Sequence, residues 1–454
     1  MKGETDNKKG IILLLITVVI AAVAVVATFF LFVKKAPVYN SQSAETLEET
    51  VEEEIEENNL FKHGLVPASQ NGKWGFINES GNFVIPLKFD FVGEFNEFGT
   101  ARVSVTNNGN SYQGLINTKG EYVMQPVFGY IGDFGDDGWA TVRYDDLYGY
   151  IDTSYQYTIP PKFEDAYKFD EYGYAIVKRD DKYGVIDRNG NFVITPTYDY
   201  INSIYGRDDG AIIVRQGNYY GVINWKEQYI VSPIYYSISK FDDNGIARIA
   251  SDGKYGIINS KGEFLLNFTY EYIGEFAENG LAEVTKYGRT GYINRNFEVV
   301  IEPQFVYAGK FEDNGLAKVR VNELYGYIDE KGNFVIEPEF EDLVYGFKNG
   351  LVCYKKNDRY GAINEKGEIV IEAQFKYSFS FKDNGLAVVS YNDLYGCIDK
   401  NGDYVVEPEY EYINANYTDY LIFTQVGKKG VMTLDGEIII PAQYDDLVMQ
   451  QYVG

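Results

Sequence analysis

Beyond residue 66 the chain alternates apolar and polar positions in short runs, each bounded by a polar cluster that carries glycine. A period of two puts every second side chain on one face, which is the pattern of a half-buried strand. Residues 73–89, KWGFINESGNFVIPLKF, read as two such strands around a glycine turn, and residues 324–340 repeat the trace as LYGYIDEKGNFVIEPEF.

The same phrase recurs along the chain. Its marker glycine stands at Gly75, Gly114, Gly149, Gly184, Gly221, Gly256, Gly291, Gly326, Gly361, Gly396 and Gly430, at steps of 34 to 39 residues, so eleven units of about 35 residues fill residues 66–454. Two residues after the glycine comes isoleucine in ten units and Met432 in the last, a core position on one face of a strand. The next position is Asn or Asp in ten units, as at Asn78, Asp152 and Asp329, where the side chain can close an Asx turn. A second glycine, as at Gly81, Gly120 and Gly332, supplies the positive φ of a tight hairpin. The following strand runs into proline, as in FVIP, FVITP or FVIEP. Proline cannot donate to a ladder, so the strand is expected to stop or to meet an edge there.

Each unit is therefore an antiparallel meander of three clear strands, with an aromatic passage such as residues 89–95 as a short fourth. A sheet of this size cannot bury a core alone and has to stack on its neighbours. The fold class is all-β, a tandem repeat of small antiparallel sheets in a propeller-like ring or an open superhelical stack. Propellers usually close at about 4 to 8 blades. Eleven units then mean two rings or an unclosed spiral, and the expectation falls on an open or partly closed stack.

The amino-terminal part follows a different pattern. Residues 11–33, IILLLITVVIAAVAVVATFFLFV, carry no charge and are long enough to span a bilayer as one transmembrane helix. Small residues at Ala22 to Ala24 would suit cleavage of a signal peptide, but the apolar run continues well past them, which favours an uncleaved signal anchor. Lys2, Lys8 and Lys9 precede the span, and a large acidic region follows it, so residues 1–10 are expected to be cytoplasmic and the bulk of the chain extracytoplasmic. Residues 34–65 hold eight glutamates and form an acidic linker.

Charge narrows the list of partners. The net charge is −26, of which −22 belongs to the repeats, and such a surface repels phosphate backbones and anionic lipid heads. Nucleic acid is disfavoured, while cationic partners remain open. Cys353 and Cys397 are the only cysteines and occupy non-equivalent places in the unit, so two unpaired thiols are expected rather than a repeated disulfide framework, with a single bridge as the alternative.

Taken together, the aromatic-Gly, Ile-Asn/Asp, turn-Gly and Val-Ile-x-Pro elements resemble the WG (KWG) repeat, a family of bacterial tandem repeats named for the residues that stand here as Trp74 and Gly75. The resemblance covers residues 66–454. Tyrosine takes the place of tryptophan at Tyr148, Tyr183, Tyr220, Tyr255, Tyr325, Tyr360 and Tyr395, and Gln113, Thr290 and Lys429 depart from an aromatic altogether. What the resemblance implies is an all-β repeat protein, often exported, with no catalytic residue carried over.

The residues themselves point the same way. His63 is the only histidine, which leaves neither a nucleophile with its base nor a zinc site. Carboxylates recur with the period of the fold, whereas a hydrolase places its acid and base once. The turns at residues 187–191 and 399–403 alternate oxygen side chains as calcium loops do, but they lack the later glycine and final glutamate of an EF-hand, and the hairpin already accounts for them. The 42 tyrosines fill seams between sheets for the most part, and those left on the surface could stack on sugars. No catalytic, cofactor-binding or metal-binding residue is assigned. The expected function is a membrane-anchored extracytoplasmic scaffold that binds a protein partner, with recognition of a cell-wall glycan through exposed tyrosines as the alternative.

Overall fold

The computed structural model describes residues 59–206 and 210–448. The expected membrane span at residues 11–33, and all of the acidic linker before residue 59, lie outside the described residues. Among those described, no helix is long and apolar enough to cross a membrane.

Among the described residues eleven sheets follow one another along the chain, ten of four strands and one of three. Blade 3 shows the plan, with strands Tyr130–Ile131, Trp139–Tyr144, Leu147–Asp152 and Tyr157–Phe163 hydrogen-bonded in that order. The aromatic passage does form a strand, as expected, but it opens the next blade as its first strand instead of closing its own unit as a fourth. Only in blade 10 is it reduced to a single bridge between Phe381 and Ala387.

The marker glycine has a steric cause. Tyr148 pairs with Phe163 and Tyr150 with Ile159, so two steps on the third strand face four on the fourth, and the surplus forms a bulge. The bulge brings the Ile159 carbonyl oxygen to 2.5 Å from where a Cβ on Gly149 would sit, and the same approach recurs at Gly75, 2.4 Å from the Ile85 oxygen, and Gly326, 2.4 Å from the Ile336 oxygen. Proline occupies this bulge on the outermost strand of its sheet. The expectation that the strand meets an edge at proline holds. The expectation that it stops there does not, because a bulge needs no donor at that point and the strand runs on to Phe163.

One hydrophobic cluster fills each of the eleven seams. In the seam between blades 3 and 4, Tyr150, Ile159 and Phe163 pack against Ala166, Phe169, Val177 and Ile186. Trp74 lies in the corresponding seam after blade 1, 7% exposed. The residue in Trp74's position reaches the first strand of the next blade. Tyr183 packs on Tyr200 at 5.7 Å and Tyr255 on Tyr272 at 5.9 Å between ring centroids. Where the aromatic is missing, a polar contact spans the same gap or fills the slot. Gln113 Oε1 accepts a hydrogen bond from the Ile131 amide at 2.8 Å, Lys429 pairs with Asp446, and Thr290 meets Thr285 at 3.2 Å. Those three blades are four-stranded like their neighbours.

The stack is closed, not open. Asp446–Leu447, at the carboxyl end, adds to Val66–Gln70 through the pairs Ala68↔Leu447 and Ser69↔Asp446, completing the sheet of blade 1. The seam between blades 11 and 1 also repeats the internal ones. A Cβ on Gly120 would meet Ile85 of the preceding blade, one on Gly332 would meet Ile301, and one on Gly81 would meet Ile440 at 3.1 Å. Eleven blades turn by about 33° each, less than in smaller propellers.

A strap ahead of the first full strand reinforces this closure. Leu60 and Phe61 are 2% and 5% exposed in the cluster between blades 11 and 1. The Leu60 amide donates to Asp419 at 3.1 Å, and Phe61 lies edge-on to Tyr420. On the other side Lys62 pairs with Glu94 of blade 2 at 3.3 Å, so the strap bridges three blades.

Candidate functional site

Most side chains with chemistry to offer are already engaged within the fold. His63 sits on the strap with φ of 55°, its Nε2 2.9 Å from the Asn96 carbonyl oxygen and its ring edge-on to Phe95. Among the described residues, no three His, Cys, Asp or Glu side chains form a group that could hold a metal ion. In the turn at residues 187–191, Asp187 Oδ1 accepts the Asn189 and Asn191 amides at 2.9 Å each. Burial pushes the Asp187 carboxyl up, but these donors outweigh it and hold the group below the usual range. Asp399 accepts the Asn401 and Asp403 amides in the same way.

A second family of carboxylates caps the hairpins between the second and third strands. Asp90 accepts the Thr106 amide, Asp199 the Gly217 amide, and Glu271 the amides of Tyr287 and Gly288, all at 2.6 to 3.0 Å. Asp445 does the same for Asn71, across the closure. Lysines at the start of the third strand bind all four of these acids, Lys254 reaching Glu271 at 3.4 Å, and the Lys73, Lys182 and Lys428 partners hold Asp90, Asp199 and Asp445 below their ordinary values. The acidity that recurs with the period of the fold is therefore bonded into its turns.

Two glutamates depart from this use. Burial raises the carboxyl of Glu283, whose Oε2 has no hydrogen-bond partner, and Arg248 only partly offsets the effect. Burial likewise raises Glu312, despite bonds from the Tyr327 hydroxyl at 3.1 Å and the Phe347 amide at 2.7 Å. Cys353 and Cys397 are free and buried in different clusters, and burial pushes their thiols up to about 11 and about 12.

The tyrosines divide between seam and surface. Tyr150, Tyr292, Tyr327 and Tyr354 are fully buried, and the hydroxyls of Tyr150 and Tyr292 donate across a seam to the carbonyls of Tyr167 and Gly309 at 2.7 Å. At equivalent places on the first strand or its remnant, Tyr130, Tyr272, Tyr307, Tyr377 and Tyr412 are 38 to 47% exposed.

A feature that reading along the chain passes over emerges on comparing one position around the ring. The fourth residue of the outermost strand is exposed in every blade. It is Pro86, Gln125, Pro160, Thr195, Ser232 and Asn267 in blades 1 to 6, then Glu302, Glu337, Glu372 and Glu407 in blades 7 to 10, and Pro441 in blade 11. These four glutamates make no hydrogen bond or ion pair with the other described residues. The signal lay in the sequence, but only as a column through aligned units.

Comparison with known proteins agrees with this architecture. A family model described as "WG containing repeat" matches ten tandem segments, residues 74–108, 114–148, 148–183, 183–220, 220–255, 255–289, 291–325, 325–360, 360–395 and 395–429. No curated protein matches the chain. Among solved structures, one titled as the eukaryotic initiation factor is 12% identical with a TM-score of 0.34, over 69% of this chain and 97% of that one. The extracellular domain of a putative one-component system from B. thetaiotaomicron is 10% identical with a TM-score of 0.25, over 85% and 76%. Hsv2 of Kluyveromyces lactis is 10% identical with a TM-score of 0.29, over 51% and 93%. Likenesses this low carry no argument about what the present chain does.

Proposed function

The chain belongs to the WG-repeat family, and from that membership we propose that it is a non-enzymatic scaffold, anchored in the membrane by residues 11–33, whose ring stands outside the cell and binds a protein partner. The observation that carries this reading is the recurring use of polar groups within the fold. Recurring carboxylates cap turns and recurring tyrosine hydroxyls close seams, so what is left to recognise another molecule is displayed surface. Both described ends of the chain leave beside the seam between blades 11 and 1, where the Val448 amide donates to the Pro67 carbonyl at 3.1 Å next to the strap. A ring tethered at one place by an acidic linker presents the rest of its circumference freely.

The test is photo-crosslinking in intact cells, with the reactive residue placed in turn around the rim of the full chain, alongside protease added from outside. Discrete crosslinked adducts and external degradation of the ring support the reading. Full protection from protease reverses the orientation. Turnover of a glycan or peptide that a single carboxylate change abolishes makes the protein an enzyme.

The row of exposed first-strand tyrosines favours a second reading, in which those rings stack on cell-wall polysaccharide. Full-length protein that stays in the supernatant over purified wall material removes it.

A further inference from the structure

We propose that the outer rim of blades 7 to 10 is the docking surface, and that its occupant is a polypeptide segment of another protein that alternates apolar with cationic side chains. The inference rests on the scaffold reading and gives it a place and a chemistry.

The four glutamates stand on the edge strands Val299–Phe305, Phe334–Phe340, Ile369–Phe375 and Tyr404–Tyr410 of consecutive blades, so the acidic positions form one unbroken arc. Glu339 and Glu409, two residues further on, double the charge in blades 8 and 10 and are exposed as well. Each acid has an apolar shoulder before it. Val299 and Val300, Phe334 and Val335, and Ile369 and Val370 are 38 to 44% exposed, as is Tyr404 at 38%, although a strand with one buried face should expose polar side chains there. Phe264 and Leu265 extend the apolar band into blade 6, and Ile438 and Ile439 into blade 11. Neighbouring edge strands touch along this rim where aromatics meet, the first residue of one packing on the last residue of the preceding one. Phe334 lies 6.3 Å from Phe305 between ring centroids, and Phe83 lies 5.7 Å from Tyr444 across the closure.

Exposed apolar surface of this extent marks an interaction site, and the sign of its flanking charge selects the partner. Carboxylates without internal partners call for lysine or arginine opposite them and repel anionic lipid and nucleic acid. A second copy of the chain fits less well. The cations at the matching rim positions, Lys88 and Lys162, already reach the carbonyls of Gly120 and Gly190 at 3.3 and 3.2 Å and lie over the rings of Phe89 and Phe163. Their charge is engaged across a seam.

The experiment measures binding of a labelled ten-residue peptide of alternating lysine and valine to the full chain in non-ionic detergent, with its glutamate–valine counterpart as control. The rim variant carries Glu337→Lys, Glu372→Lys and Glu407→Lys. A charge-matched variant carries Asp133→Lys, Asp136→Lys and Glu171→Lys, which are exposed loop residues away from the arc. The expected result is a loss of about tenfold or more for the rim variant and no change beyond about twofold for the matched one. A milder variant with glutamine at the same three rim positions is expected to fall between parent and rim variant, and it guards against misfolding. Equal weakening in both lysine variants reduces the effect to net charge and overturns the proposal, as does no weakening in either. A parent that dimerises through this rim without binding the peptide also overturns it, in favour of self-association. The scaffold reading fails separately: if crosslinking in cells captures a partner that the rim variant retains, only the rim assignment falls, whereas no adduct anywhere on the ring removes the scaffold itself.

Discussion

The hydroxyl of Tyr444 donates a hydrogen bond to the carbonyl oxygen of Gly81, although the two residues stand 363 positions apart. Lys88 makes the equivalent reach to Gly120 and Lys162 to Gly190, each from one blade to the turn of the next. The joint between the last blade and the first is therefore built like the others, and that equivalence can be measured.

Leu447 and Leu343 occupy the same place in blades 1 and 9, 2% and 0% exposed. Truncating a buried leucine costs about 2–4 kcal/mol. Leu447→Ala and Leu343→Ala are expected to destabilise the protein by similar amounts in chemical denaturation. A harmless Leu447→Ala beside a costly Leu343→Ala would mean that the ring stands open.

Gly149→Ala places a methyl group 2.5 Å from the Ile159 oxygen and 2.6 Å from the Pro161 nitrogen, so two backbones have to separate. The expected cost is about 3 kcal/mol. Gly217, at φ of 61°, has nothing within 4 Å, and Gly217→Ala should cost only the left-handed penalty of about 1 kcal/mol. Equal costs would remove the steric account of the marker glycine.

Glu283 has a carboxyl raised by burial, so its ionisation in the folded state works against stability. Below the unfolded value of about 4.3 the group is protonated in both states and the penalty is absent. It grows as pH rises from there and is complete above the folded value. Glu283→Gln is thus expected to raise Tm at pH 8 and to leave it unchanged near pH 3.5. A gain of the same size at both pH values would contradict this.

The hairpin caps behave in the opposite sense. Asp199 is held low by Lys182 and the Gly217 amide, so its contribution is present above the unfolded value of about 3.9 and is lost as pH falls through the folded one. The parent should lose thermal stability below about pH 4. Asp199→Asn should lie below the parent at neutral pH and converge with it in acid.

Neither thiol is expected to react with a disulfide reagent at pH 8 in the folded protein, since burial keeps both protonated and covered. Both should react at once in denaturant. Rapid reaction of Cys353 in the native protein would show that the seam between blades 9 and 10 opens.

Local features of the unit were legible because they depend on neighbours in the chain. The Asx turn at Asn78, the positive φ of Gly81 and the aromatic strand at Phe91–Phe95 all followed from short-range pattern. The seam position of Trp74 followed from its replacement by tyrosine elsewhere. Closure was harder to see, since it depends on a pairing between Ser69 and Asp446 that no local rule signals. A clue did exist. Residues 443–448, QYDDLV, match residues 339–344, EFEDLV, so the last described strand is the opening strand of a unit and the first, Val66–Gln70, is the strand that follows it. Split units of this kind are what a ring needs in order to clasp itself. The acidic arc was missed for another reason: each glutamate looks ordinary in its own unit, and only the order of units around a circle makes neighbours of four of them.

Because Asp446–Leu447 completes the sheet that Val66–Gln70 begins, the first blade to leave the ribosome is the last to be finished. Internal blades can zip up from hairpins as they emerge, since their strands are adjacent in the chain. Blade 1 has to keep an unpaired edge until Asp446 and Leu447 have been made, and over that interval the edge is open to wrong pairing with other chains. Final assembly of the ring therefore waits for the tail, which makes Asp446–Leu447 a timing device for maturation as well as a clasp.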